Sequence, residues 1–479
     1  MTDVLIAGGG LAGLAAATVL AEQGKSVTVV EREIFLGGRA GAWQDTLADG
    51  TPFQMERGFH AFFRQYYNLR QLMRRVDPTL DVLEAQVDYP VHGPGGAIES
   101  FSGLPKQPPL NVVELLRRTK TMGFIDALKV PTKQVMAMFA YGPHTYERWD
   151  AMSAADYLDS LQFPPEARRM LFEVFAHSFF NPEEEFSAAE LLMQFHFYFL
   201  GNKEGLIFDT MRRPFSAGLF DPLRAYLEAR GVRFELGTSV DRIDPSEGGA
   251  RWAVHVASPA GARTLDAGAL VLALSVPGLK ELVAGSPELG DAEWRGDVAS
   301  LETTWPFAVW RLWLDRPVHD DRLPFVGTAG VGLLDNISVY EKLEDESRAW
   351  AARTGGSVLE LHAYGVHPDI PEASIKANLL TGMHAVYPET ESATILEDRW
   401  LLRRDCPGFP PGSHARRPTV RTALHHLTLA GDFVKFDRPS ALMERAVASG
   451  FEAANILLAE TRQPVEHVPN RGLLSRLRL

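Results

Sequence analysis

A single cysteine, Cys406, stands among the 479 residues. It excludes an internal disulfide and any zinc or iron–sulfur site built on several thiolates, and a reducing, cytoplasmic compartment is the expectation. Basic residues are in deficit: 48 Lys and Arg face 61 Asp and Glu, a formal net charge of -13. An acidic whole argues against a nucleic-acid partner. Long apolar runs are missing as well. The longest, residues 4–21, follows Asp3, has no basic flank and is broken by Gly8, Gly9, Gly10 and Gly13. It reads neither as an export signal nor as the roughly 18 or more apolar residues of a spanning helix. The chain has no HExxH, no carboxylate cluster at metal spacing and no GxSxG, so metal and acyl-transfer chemistry have no support. What remains, 46% hydrophobic and 23% charged with 41 Gly and 31 Pro, is the profile of a globular enzyme too long for one ordinary core.

The first sixty residues carry most of the chemistry. Residues 4–7 are a short apolar run typical of a buried parallel strand, and Gly8-Gly9-Gly10-Leu11-Ala12-Gly13 follows at once. Residues 14–24 read as an alanine-rich helix, and a second apolar run, 26–30, ends at Glu31 with Arg32 beside it. Strand, glycine turn, helix, strand and acid arrive in the register of a dinucleotide-binding unit. Gly8 permits the tight turn, Gly10 lets backbone approach a pyrophosphate, and Gly13 lets helix pack on strand. The helix start at Leu11 and Ala12 offers free N–H groups to the phosphates, and Glu31 can accept from a ribose hydroxyl. This unit alone leaves NAD and FAD open.

Gly37-Gly38-Arg39 lies six residues past Glu31, and this stretch resembles the "E…GGR" signature of the flavin amine oxidase and carotenoid desaturase superfamily. FAD is thereby favoured. Near the other end, a strand-like run closes at Gly431-Asp432, and residues 441–458 have helical periodicity around Met443, Arg445, Ala446 and Gly450. This resembles the superfamily's C-terminal flavin motif, which implies Gly431, Asp432, Met443 and Ala446 as cofactor contacts. The same resemblance brings Val240 to the adenine. No second strand–GxGxxG–helix unit appears, which speaks against a dedicated NAD(P)H site.

The fold class expected is α/β: a Rossmann-type FAD-binding domain assembled from separated segments, with a mixed α+β substrate domain. The segments read as FAD-binding over 1–90, helical and aromatic-rich over 91–215, FAD-binding over 216–285, substrate domain over 286–415, FAD-binding over 416–465, and a basic tail over 466–479. Aromatic residues cluster at 57–67, where Gly58 and Phe59 are also expected cofactor contacts, again at 172–180, and again at 195–200. Each belt reads singly as core packing and collectively as an apolar tunnel for a long, flat hydrocarbon. His60, His177 and His196 are candidate proton acceptors, and His60, nearest the cofactor motifs, is the choice for a catalytic base. The basic, leucine-rich residues 111–142 and 471–479 read either as solvated faces or as peripheral contacts with the inner face of a membrane.

Taken with "MERGFHAFFRQYYNLRQLMRR" and "LAGDFVKFDRPSALMERAVASGFEAAN", these motifs make the chain resemble bacterial FAD-dependent carotenoid desaturases nearly end to end. Within them it is most similar to carotenoid 3′,4′-desaturases and to β-carotene desaturase/methyltransferases that make aromatic rings. The resemblance implies hydride transfer from an allylic carbon to flavin N5, proton loss, a long hydrophobic carotenoid, and oxygen or a quinone as electron acceptor. Chain-end desaturation stands first, with ring aromatisation, carotenoid isomerisation and amine oxidation as alternatives.

Overall fold

The computed structural model describes residues 2–119, 131–170, 174–177, 179–246 and 250–475. Strand β1 (Thr2–Ala7), helix α1 (Leu11–Glu22) and strand β2 (Val27–Val30) form the first crossover unit. β1 and β2 run parallel, from the Val4–Val27 pair to the Ala7–Val30 pair. Val27, Val29, Leu5 and Ile6 are fully buried, because helices cover both faces of such a sheet. Four further strands complete the path: β3 (Arg233–Glu235), β4 (Ser239–Pro245), β5 (Trp252–Ser258) and β6 (Gly261–Leu272). The order is β4-β5-β6-β1-β2-β3, and Leu427–Leu429 adds itself parallel to the end of β6. Segments hundreds of residues apart therefore end at one carboxyl edge, where open α/β sheets place their ligands. Helix α2 (Leu442–Leu458) lies against α1 so closely that a Cβ on Gly450 would stand 2.3 Å from the Ala12 carbonyl oxygen.

The second sheet contains β7 (Phe307–Leu314), β8 (Phe325–Thr328), β9 (Asn336–Val339), β10 (Ser357–Ala363) and β11 (Ile395–Arg403). Its order is β11-β7-β10-β9-β8, extended by the short strands Pro90–His92 and Ile98–Ser100. β7 and β10 are buried along their whole length. One face packs Ala308, Leu312, Leu359 and Leu361 with Leu379 of the helix Glu372–Val386. The opposite face packs Val309, Trp313 and Val358 against Phe53 and Met55 of the hairpin Ala42–Thr46/Pro52–Glu56.

The helical region is bolted to α2 by a buried cluster. Glu190 accepts from Arg445, from Arg417 Nη1 at 3.2 Å and from the Tyr146 hydroxyl at 2.7 Å. Burial pushes the Glu190 carboxyl upward, but the charges of Arg445 and Arg417 prevail and hold it at about 2. Glu190→Gln leaves two buried guanidinium groups uncompensated and is expected to cost about 3–5 kcal/mol in denaturant unfolding. In the wild type, where the folded carboxyl sits below the ordinary 4.5, this contribution is complete above pH 4.5 and fades as pH falls toward 2. An unchanged unfolding midpoint in Glu190→Gln would show that the cluster holds nothing.

Candidate active site

Four turns meet at the carboxyl edge of the first sheet and enclose one end of a cavity of about 630 Å³. Gly8 takes φ +107°, and a Cβ there would stand 2.4 Å from the Ala273 carbonyl oxygen. Only glycine lets the turn pass under the end of β6. Gly10 caps α1 with extended backbone and no side-chain bond, and no acid occupies the helix's first turn. The helix start at Leu11 and Ala12 thus opens onto the cavity with unfilled donors and a positive dipole end, which fits a pyrophosphate. Gly13 lies outside the cavity. A Cβ on it would stand 2.0 Å from the Gly8 carbonyl oxygen, so its part is helix-on-strand packing.

Glu31 lines the same end beside Arg32 and Val240. Its Oε2 accepts from Gly9 N at 2.6 Å and its Oε1 from Glu33 N at 2.9 Å. Burial pushes its pKa up while those two backbone bonds oppose the shift. Two carboxylate oxygens have about four acceptor sites, so lone pairs remain for ribose hydroxyls. Gly38, Arg39, Gly431, Asp432, Met443 and Ala446 also line the cavity. Arg39 and Asp432, read from the sequence as separate contacts, bind each other at 2.5 Å. The pair ties the second turn to the C-terminal motif. Cys406 lies beside it, its thiol pushed up to about 11 by burial, and is a neutral neighbour.

Beyond this end the cavity runs between rings, among them Phe59, Phe63, Tyr198, Phe208 and Phe325. Phe59 stacks on Phe325 at 4.6 Å and meets Phe208 edge-on at 5.4 Å. Tyr198 and Phe199 reach the cavity because the helix Ala188–Phe195 widens into a π turn, His196–Leu200, that re-aims its side chains. Phe180, Phe179 and Phe307 line it too, whereas Trp305 and Trp310 do not. Phe172, Lys120, Asp126, Lys129 and residues 476–479 lie outside the described residues. Among the described residues no helix is long and apolar enough to cross a membrane.

The three histidines separate. His196 bonds the Pro469 carbonyl at 2.7 Å, stacks on Tyr141 and is absent from the cavity wall. His177 lines the cavity and is held by Asp335 at 2.9 Å. His60 lines it with Nδ1 donating to the Gly58 carbonyl at 2.7 Å, which makes Nε2 the acceptor nitrogen. Burial pushes its pKa down to about 4, so the ring is neutral near pH 7. Gly58 itself does not line the cavity. It holds His60 by its carbonyl and lies against the His362 ring, 2.8 Å from where a Cβ would stand.

One group was missed by the sequence reading. Glu360, His362 and Tyr364 recur at every second residue along and just past β10, and all point to the hairpin and cavity side. Glu360 Oε2 accepts from Arg311 Nε at 2.9 Å and Nη2 at 2.7 Å, and Oε1 accepts from Phe59 N and His362 Nε2, both at 2.8 Å. A glutamate in an otherwise apolar strand is a signal that a buried cation sits opposite.

Comparison with known proteins agrees with this geometry. The family model described as flavin containing amine oxidoreductase matches residues 11–458. A carotenoid phi-ring synthase of Streptomyces griseus is 48% identical, over 99% of this chain and 92% of that one. A carotenoid phi-ring synthase of Chlorobaculum tepidum is 29% identical, over 98% and 91%. Among solved structures, cyclohexylamine oxidase from Brevibacterium oxydans has the same fold, with a TM-score of 0.67 over 96% of this chain and 100% of that one at 17% identity.

Glu31→Ala and Asp432→Ala are each expected to weaken flavin retention about 10- to 100-fold, the worth of a hydrogen bond to a charged group. The ratio of flavin to protein absorbance after gel filtration checks this. Full occupancy in both variants would remove these residues from the cofactor site.

Proposed function

The chain belongs to the flavin containing amine oxidoreductase family and is an FAD-dependent oxidoreductase, and within that family we propose that it acts on a carotenoid and aromatises a β-ring end group. The observation that carries this reading is the cavity itself: a dinucleotide end built from four turns, continuous with a passage walled by rings, in a chain similar to phi-ring synthases along nearly its whole length. Ring chemistry therefore moves ahead of the chain-end desaturation that motif reading alone put first.

In this reading the backbone at Gly8, Gly10, Leu11 and Ala12 holds the FAD pyrophosphate, and Glu31, Arg32 and Val240 hold the adenosine. Gly38, Arg39, Gly431, Asp432, Met443 and Ala446 surround the remainder, with the Gly58–Phe59 loop facing it. FAD, when bound, supplies a two-electron acceptor for a hydride leaving carbon. The protein's own work is positioning and water exclusion. Phe59, Phe208 and Phe325 line the passage with apolar rings packed on one another, which keeps water from trapping a carbocation. A proton next to a carbocation is strongly acidic, so an acceptor as weak as His60 suffices. Converting a β-ring to an arene removes two hydrides and two protons, with one methyl group moving internally. The chain thus needs no methyl donor.

Expressed in a β-carotene-producing host, the protein is expected to yield pigments lighter by four hydrogens per converted ring, read by mass spectrometry. Loss of two hydrogens from an acyclic pigment with β-carotene untouched would return chain-end desaturation to first place. Because neutral His60 is the acceptor and burial lowers its pKa, product formation should be flat across neutral pH and fall only as pH approaches 4. A fall centred near the ordinary histidine pKa would contradict His60 in this role.

A further inference from the structure

The cavity wall at β9 and β10 holds a chain of hydrogen bonds that the dinucleotide turns take no part in. Asn336 Nδ2 donates to the Tyr364 hydroxyl at 3.0 Å. With that acceptor site filled, the phenolic O–H turns to its other partner, His362 Nδ1. Accepting there fixes the His362 tautomer: its Nε2 carries the hydrogen and donates to Glu360 Oε1 at 2.8 Å. Glu360 is fully buried, and although burial opposes ionisation, Arg311 holds its carboxyl at about 2. The series therefore runs from an amide through a phenol and an imidazole to a fixed anion, with every donor direction set.

Tyr364, His362 and Asn336 all line the cavity. The phenol is seated on the Phe180 ring at 4.6 Å, and its backbone N–H is fixed by Asp335 Oδ2. Asn336 Oδ1 is buried at the same wall with no hydrogen-bond partner among the described residues. A buried amide oxygen without a partner opposes folding. It marks this wall as a place where the cavity is polar for a reason other than packing. The phenol itself is kept neutral, its pKa pushed well above the ordinary value by burial. A neutral phenol can take a proton only by passing its own one on.

We propose that Tyr364, backed by His362 and Glu360, is a second proton-transfer group of this enzyme, which accepts a proton from the substrate carbocation. The proposal rests on the ring chemistry inferred above, which must release two protons per ring. In the step, a C–H bond adjacent to the cationic carbon breaks and its electron pair becomes the new ring double bond. The proton goes to Tyr364 Oη while the Tyr364 hydroxyl proton goes to His362 Nδ1. The resulting imidazolium is neutralised by Glu360. After product leaves, the proton returns through Tyr364 to water entering the cavity. Tyr364 is the group that touches substrate; His362 and Glu360 are positioning residues that act through it.

Two conditions separate the steps. Anaerobic mixing of FAD-loaded protein with β-carotene reports the first hydride loss as flavin bleaching. Incubation with oxygen or a quinone, which reoxidises the flavin between the two hydride losses of each ring, reports proton loss and arene formation in the extracted pigment. In Tyr364→Phe, bleaching is expected to stay within about threefold of wild type. Arene yield should fall about a hundredfold, the lower range of a general base, and the pigments should include water-trapped, hydroxylated products. His362→Gln is the second arm. Its amide oxygen can still hold the Tyr364 hydroxyl but cannot store a proton, so it should reproduce the Tyr364→Phe pattern. A merely structural role would leave its products unchanged. Wild-type product distribution in either well-folded, flavin-loaded variant overturns the relay. A wild-type protein that fails to bleach with β-carotene overturns the ring reading instead, and the relay with it.

Discussion

The Glu360 carboxylate is the constraint on which the substrate half of this molecule depends. It is fully buried, and its two oxygens accept four hydrogen bonds: two from Arg311, one from His362 and one from the Phe59 backbone. Those partners belong to different elements. Arg311 is its cross-strand neighbour on β7, His362 follows on its own strand, and Phe59 heads the loop that carries His60. A buried ion pair is weak evidence for stability, since desolvation offsets most of the attraction. What four bonds to one anion do is fix geometry: the loop, the sheet and the hairpin cannot shift independently. Arg311 also lies 3.7 Å from Glu56 and over the Tyr340 ring at 3.8 Å, which extends the same registration into the hairpin.

The dinucleotide half is registered differently. There the organising feature is a parallel sheet edge, at which β1, β2, β6 and Leu427–Leu429 all end. Backbone does most of the work, and the charged groups are few and reciprocal. Arg39 binds Asp432, Arg57 binds Asp405, and Glu31 is held by two backbone N–H groups. The halves meet at residues 57–60, where Arg57 reaches the Cys406 region and Phe59 reaches Glu360. Residues 57–60 thus tie the dinucleotide half to the second sheet by one contact at each side.

What could be read from sequence follows from how local each signal is. Strand, glycine turn, helix and acid fall within thirty residues, so the dinucleotide unit was visible in the pattern of Val4 to Glu31. The Arg39–Asp432 pair joins residues 393 apart, and motif reading found both members without seeing that they bind each other. Glu360 is 301 residues from Phe59, and no spacing rule links them. Its alternation with His362 and Tyr364 is visible in the sequence, but a period of two marks any strand and gives none of the three a partner. The aromatic belts were evident as composition. Which rings face the cavity was not, because the π turn at His196–Leu200 breaks the 3.6-residue period on which such a reading relies.

The chemistry of the walls also separates hydrocarbon from amine. An ammonium substrate needs a free carboxylate or an unsatisfied acceptor set to receive its charge and its donors. At the ring-lined end Asp335 is the carboxylate on the wall, and it is already engaged by His177 and by the Tyr364 backbone. His60 is kept neutral, Tyr364 is kept neutral, and the buried anion Glu360 is bound by Arg311 and does not line the cavity. A passage built this way offers an ammonium arriving from water a carboxylate whose two oxygens already have partners. In the proposed reaction the cation forms inside, from a neutral molecule, after a hydride has left. Such a cation brings no hydration shell to be stripped, so polar groups are required only where protons would leave it, and rings and weak proton acceptors suffice for the rest of the wall.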